Sequence, residues 1–291
     1  MEDYVAATLE VIVAAGADVL VLQDMDYDAG GAALGALANA LAVEGIEYPY
    51  SIALRPNSGW PTGVDVDGDG DANGPRDAHG YGRFNGEGGM AMLSRFPLAE
   101  VQDFSGLIWA DLPESTAPSV TPDVALPVLR LHSVGAWDVQ ILAPNGPLHI
   151  LTSHASAPVF DGPEDRNGLR NADEIRFWTL YFDGWSHDFT AFEGQDFVLA
   201  GTLNVDPERG EGRRAALLEL LNHSRLQDTG PNTPTVDWED PTPGDLRVDY
   251  ILPDAQQRVL ETGIIWPVEG PLAEAALEAS DHRLIWVDID H

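Results

Sequence analysis

The sequence predicts an α/β fold in which two mixed β-sheets pack as a sandwich with helices on the outside. Three observations predict it. Apolar runs of strand length outnumber the helical patterns, so the strands cannot each be followed by a crossover helix as in a doubly wound parallel sheet. A hydrophobic fraction of 44% with 22% charged residues is a globular composition that excludes disordered and collagen-like chains. No apolar run approaches the roughly 18 residues needed to span a bilayer, and no internal repeat is present.

The elements follow in order. Residues 4–13 read as an amphipathic helix, and with no positively charged stretch ahead of it no signal peptide is expected. Residues 17–24 form a continuous apolar run ending in Gln23-Asp24, the mark of a strand buried on both faces. An Ala/Leu-rich helix over 31–43 and a strand over 48–54 come next. Residues 55–88 are dense in Gly, Asp, Asn and Pro, too long for an ordinary connection and therefore an insertion within one domain spanning 1–291. A strand is expected over 89–94, a polar Pro-punctuated stretch over 96–127, and further strands over 148–153, 197–200, 248–252 and 284–289. Helical patterns cover 171–182 and 212–221.

Charge narrows the partners. Against 48 acidic residues stand 15 basic ones, every one an Arg, for a net charge of −33. Duplex DNA is bound by placing Lys and Arg clusters on phosphates, so tight DNA binding is not expected. A small anionic substrate held by a metal ion remains compatible, because a local cation inverts the field of an acidic site. With no cysteine, disulfides, zinc–thiolate sites and thiol nucleophiles are excluded.

The polar residues gather at strand ends: Gln23-Asp24, Ser153-His154, Gly201-Thr202-Leu203-Asn204, Asp249-Tyr250, and Ser280-Asp281-His282 just before the last strand. Each alone reads as turn chemistry. Five on one chain read as one site. Carboxylates and amides with two histidines and no thiols describe a hard-cation site for Mg²⁺, Mn²⁺ or Ca²⁺, with imidazoles to handle protons and phosphate oxygens.

This ordered set, from Leu22-Gln23-Asp24 through Leu151-Thr152-Ser153-His154, Ala200-Gly201-Thr202-Leu203-Asn204 and Val248-Asp249-Tyr250-Ile251 to Ser280-Asp281-His282-Arg283, resembles the endonuclease/exonuclease/phosphatase superfamily, the DNase I-like fold. The segment from His154 to Asn167 is similar to a branch of bacterial members that are often secreted. The resemblance implies a four-layer α/β sandwich and metal-dependent hydrolysis of a small or extracellular phosphoester, monoester or diester, by a monomer. It implies Mg²⁺ or Mn²⁺ on Asp24 and Asp281, and Asn204 orienting the phosphate or water. It further implies that His282 acts on water or phosphate with Asp249 on its other ring nitrogen, and that His154 contacts a phosphate oxygen or the leaving group.

This chain departs from the family pattern at three places. Asp24 stands where the family has Glu, and Thr202 where it has the Asp of Gly-Asp-x-Asn. The family's first core strand has no counterpart ahead of the opening helix, which is expected to leave its neighbours with unpaired backbone groups. A hydroxyl cannot replace a carboxylate that positions or deprotonates water. The alternative reading is therefore a non-catalytic or calcium-stabilised domain on the same fold.

Two further features are expected to matter. Asp65, Asp67, Asp69 and Asp71, with Gly70 at the sixth place, match the front of an EF-hand loop and so a structural Ca²⁺ site, although Arg76 stands at the twelfth place and Asp77 one step on. The rival reading is a solvated acidic turn. Arg166 and Arg170, shortly after His154, are the expected forks for a substrate phosphate, with pairing to nearby carboxylates as the alternative. Arg176 is expected to pair with carboxylates, the remaining histidines to be structural or exposed, and the tryptophans to be core.

Overall fold

In the computed structural model, which describes residues 2–230, 233–239 and 242–291, the chain forms four layers. The outer layer on one side holds α1 (Glu2–Ala15), α2 (Ala32–Val43) and α6 (Pro271–Ala279). Beneath it lie an antiparallel sheet of β1 (Val19–Met25), β2 (Tyr50–Ile52) and β3 (Gly89–Ser94), ordered β1-β3-β2, and an antiparallel pair of β9 (Val259–Ile264) and β10 (Ile285–Ile289). The second inner layer is a five-stranded sheet of β4 (Leu98–Asp103), β5 (Gly135–Ala143), β6 (Gly146–His154), β7 (Phe197–Thr202) and β8 (Asp249–Pro253) in sequence order. Its outer face is covered by α4 (Arg166–Phe182) and α5 (Arg214–Leu221), with a short α3 (Ala117–Val120) alongside.

The apolar runs explain the layering. Met90, Met92, Trp137, Val139, Ile141 and Ile150 form the core between the sheets, while Leu20, Leu41, Ala91 and Leu93 join the first sheet to α1 and α2. The largest cluster puts the aromatic face of α4, with Phe177, Trp178 and Tyr181, against Leu151, Leu199 and Tyr250. Burial at this density is the dominant favourable term in such a fold.

Five elements escape the sequence reading, among them the short α3, which lies inside the polar, Pro-punctuated stretch 96–127. β4 alternates but is largely exposed, and β5 is interrupted by Asp138 and Gln140, which look like loop residues until His149 of β6 bonds both. β9 is a half-buried strand with Leu260 and Glu261 exposed, and α6 packs an alanine stripe, Ala275, Ala276 and Ala279, against Ala7 and Val11 of α1. β2 is shorter than expected because only Tyr50–Ile52 finds a partner, in β3. Among the described residues the sandwich contains three hydrogen-bonded sheets where two were expected: there β1 pairs only with β3 and β10 only with β9.

Of the described helices none is long and apolar enough to cross a membrane.

Candidate active site

The topology brings the polar strand ends together. β6 and β7 are parallel, so His154 and Thr202 lie side by side at their C-terminal ends; β8 runs back antiparallel, which sets Asp249 opposite Thr202. Gly201 permits this closeness, because a Cβ there would lie 2.2 Å from the Ser153 carbonyl oxygen.

Asp249 is the hub. His282 Nδ1 lies 2.9 Å from its Oδ2 and 3.1 Å from its Oδ1. The Thr202 hydroxyl donates to Oδ1 over 2.6 Å, and the buried Thr235 hydroxyl donates to Oδ2 over 2.7 Å. Thr235 in turn accepts the Val248 and Asp249 amides. Its loop also clamps the turn that carries His282: Arg283 N donates to Thr235 O, Asp237 N to Asp281 O, and the Arg283 guanidinium pairs with Asp237 at 2.6 Å. Trp238 stands edge-on to the His282 ring at 5.7 Å.

These contacts set the charges. Burial opposes protonation of His282, but its bond to Asp249 and the charges of Asp249, Asp24 and Asp281 outweigh it and hold the ring above the ordinary histidine value. His154 goes the other way: burial, then the nearby His282 charge, push it down to about 4 against the pull of Asp249, so it is neutral near pH 7. Its Nδ1 is buried without a hydrogen-bond partner among the described residues.

Asp24 and Asn204 occupy the left-handed backbone region, with φ of 57° and 59°, a conformation that Asp and Asn tolerate better than most residues. For Asp24 the cause is a register shift between Leu22 and Met25, which lifts it out of the β1 ladder. Gly88 accepts it, since a Cβ there would come within 2.5 Å of Asp24 Oδ1. Burial of the carboxyl, then the negative charge of Asp26, raise the Asp24 pKa; His282 works against them and Glu87 with them. Asn204 donates to the Ala155 carbonyl over 2.8 Å, next to His154.

A sequence model of the Endonuclease/Exonuclease/phosphatase family matches residues 3–282. The chain belongs to the endonuclease/exonuclease/phosphatase family. Members of this family are phosphoesterases that generally use divalent metals. An endonuclease/exonuclease/phosphatase from Beutenbergia cavernae DSM 12333 is similar with a TM-score of 0.59 and 19% identity, over 99% of this chain and 65% of its own, so this chain spans less than two thirds of that protein. A family protein from Leptotrichia buccalis C-1013-b gives 0.60 and 17%, over 100% and 93%, and the human Nocturnin catalytic domain 0.56 and 16%, over 100% and 86%. At these identities the likeness is one of fold. The comparison with curated proteins finds no match.

The donor set of this family member fits a hard divalent cation. Asp24 and Asp281 are both near enough for their charges to act on His282, and the crowding of Asp24 by Asp26 and Glu87 is the repulsion that a bound cation would relieve.

Two expectations need correction. Arg170 is not a phosphate fork: it is buried, and its guanidinium donates to the carbonyls of Leu131, His79 and Arg130. Arg166 is turned toward the acidic insertion, donating to Val66 O over 3.2 Å beside Asp67 and Asp77. Arg176 pairs with Asp173 at 2.9 Å, as expected. In the insertion, the carboxylates that converge are Asp65, Asp67 and Asp77. Asp69 and Asp71, which accept the Asp71 and Asn73 amides, lie outside that group.

Sequence reasoning missed Thr235, Asp26 and Glu87. Thr235 had no legible signal, because only the fold brings it to Asp249 from a Pro-rich loop.

Proposed function

We propose that this chain hydrolyses phosphomonoesters or phosphodiesters in a divalent-metal-dependent reaction, with His282 and Asp249 as its proton-handling pair. The observation that carries the reading is the 2.9 Å contact between His282 Nδ1 and Asp249 Oδ2 at the strand ends that also present Asp24, His154 and Asn204. With Nδ1 donating to Asp249, Nε2 is the nitrogen free to exchange a proton with water or a phosphate oxygen. Neutral His154 offers a hydrogen bond to a phosphate oxygen or the leaving group, and Asn204 orients the phosphate or the attacking water. Asp24 and Asp281 would hold Mg²⁺ or Mn²⁺, which when bound polarises the phosphoryl oxygen and lowers the pKa of water. A structural Ca²⁺ on Asp65, Asp67 and Asp77 would order the insertion.

A second reading, a binding domain that keeps the fold without the chemistry, is favoured by Thr202, a hydroxyl where the family pattern has a carboxylate. Hydrolysis of p-nitrophenyl phosphate and bis(p-nitrophenyl) phosphate with Mg²⁺, Mn²⁺ and Ca²⁺ separates the two. The first reading expects metal-stimulated turnover that Asp249→Asn lowers by about 10²–10⁴-fold. A folded, metal-binding wild type with no turnover leaves the binding domain.

A further inference from the structure

Trp60 carries two positive charges. The Arg55 guanidinium carbon lies 3.6 Å from its ring centroid and that of Arg130 lies 4.2 Å away. A guanidinium on an indole is favourable, but a second one on the same ring brings two like charges together. In a chain with 48 acidic residues and 15 arginines, carboxylate partners are plentiful. Yet among the described residues neither Arg55 nor Arg130 has a carboxylate within ion-pair distance, whereas Arg83, Arg95, Arg247 and Arg283, for example, do. Asp103 acts on Arg130 only from farther off, and burial with the Arg55 charge lowers the Arg130 pKa below the ordinary arginine value.

Neutral groups hold both cations in place. Arg55 Nε donates to Asn85 Oδ1 over 3.1 Å. Arg130 Nη1 donates over 2.7 Å to Oδ1 of Asn57, which is fully buried and anchored to the Ser105 and His132 carbonyls. Arg170 supports the Arg130 carbonyl from below. Amide partners fix a guanidinium without neutralising it, so the pair stays an anion receptor. The segment that holds the pair touches the chain beside the active site. Asn57, which accepts from Arg130, donates its amide over 2.8 Å to the Val134 carbonyl, next to Gly135, which pairs with His154, and the Ser58 hydroxyl donates to the carbonyl of Glu87, next to Gly88, the residue under Asp24 Oδ1. Arg55 is exposed, while Trp60 and Arg130 are half-buried.

We propose that Arg55 and Arg130, braced on Trp60, form a subsite for a second phosphate of the substrate, beyond the scissile phosphoester. Its role rests on the phosphoesterase reading, so the first test does not depend on turnover. Metal-free protein, freed of ions on a chelating resin, is titrated calorimetrically with inorganic pyrophosphate. Saturable binding is expected, weakened about tenfold or more by Arg55→Gln, as loss of one charge-assisted contact implies, and unchanged by Arg258→Gln at the exposed Arg258–Asp290 pair. Arg55→Gln removes an exposed side chain and is checked by its melting curve, so the test survives if Arg130→Gln does not fold. Absence of pyrophosphate binding to the wild type, or binding equal in Arg55→Gln, overturns the subsite even if hydrolysis is active. A kinetic arm uses a nucleoside 3′,5′-bisphosphate against p-nitrophenyl phosphate. The subsite predicts that Arg55→Gln raises KM for the bisphosphate alone with kcat unchanged; an equal effect on both substrates contradicts it.

Discussion

Thr202 donates its hydroxyl to Asp249 over 2.6 Å, and a carboxylate in its place would accept where Thr202 donates. Two carboxylates this close repel unless a proton or cation lies between them, which ties the benefit of an Asp at this position to a bound metal. A positioned general base contributes about 10²–10⁴-fold. Thr202→Asp is therefore expected to raise the phosphoesterase rate with Mg²⁺ or Mn²⁺ at least tenfold, read as kcat on a folded, metal-binding variant. Unchanged kcat there would show that another departure limits the rate. The positions of Asp24, His154 and Asn204 at the ends of apolar runs, and of Asp281 and His282 just ahead of the last one, were legible because the polar residues break a contiguous apolar pattern. The partners of Arg166 and Arg170 were not, because an arginine reaches far enough that only packing decides whether it meets a phosphate or a carbonyl.

At the scale of elements, the acidic insertion shows how a repeat can point to the right segment and the wrong ligands. The Asp-Gly alternation turns the chain so that Asp67, Asp69 and Asp71 each accept the amide two residues on, while Asp77, brought back by the short 3₁₀ turn Pro75–Asp77, meets only Asp65 and Asp67. If the loop binds Ca²⁺, calorimetry should find uptake lost in Asp65→Ala and Asp67→Ala and retained in Asp69→Ala and Asp71→Ala. Equal loss in all four would restore the EF-hand order of ligands. Asp77 also accepts the Val66 and Gly74 amides, so its removal would disturb the loop as well as the site. β5 was hidden for a related reason: Asp138 breaks its apolar pattern, and only the 2.7 Å contact with His149 and the 3.3 Å bond from Tyr181 explain a carboxylate there.

Across the whole molecule, charge and buried histidine set the response to solution conditions. His132 is 1% exposed, and among the described residues neither ring nitrogen has a hydrogen-bond partner. Burial, with the Arg170 charge adding to it, pushes its pKa down to about 3. An unfolded chain binds that proton below about pH 6.5, so the contribution to stability is complete above 6.5 and is lost as pH falls toward 3. Its ring packs edge-on against Phe177 at 4.9 Å, and His132→Phe keeps that contact without the titration. Between about pH 6.5 and 5 the variant should lose about 2 kcal/mol less stability than the wild type in urea unfolding; parallel pH profiles would refute the burial argument. The net charge of −33 makes the second expectation: duplex DNA should bind weakly at moderate salt and no better than small phosphoesters, and tight, salt-sensitive DNA binding would contradict it.

The sequence by itself determined the sandwich, most of its strands and the residues at their ends, because strand burial and strand termination are written in contiguous residues. Only the tertiary structure decided that Thr202 and Thr235 both donate to Asp249, that Asp77 replaces Asp69 and Asp71 in the acidic cluster, and that Arg55 and Arg130 meet on Trp60. These groups lie far apart along the chain or in irregular loops without a period. Their partners follow from how sheets and loops pack, and no local propensity encodes that choice.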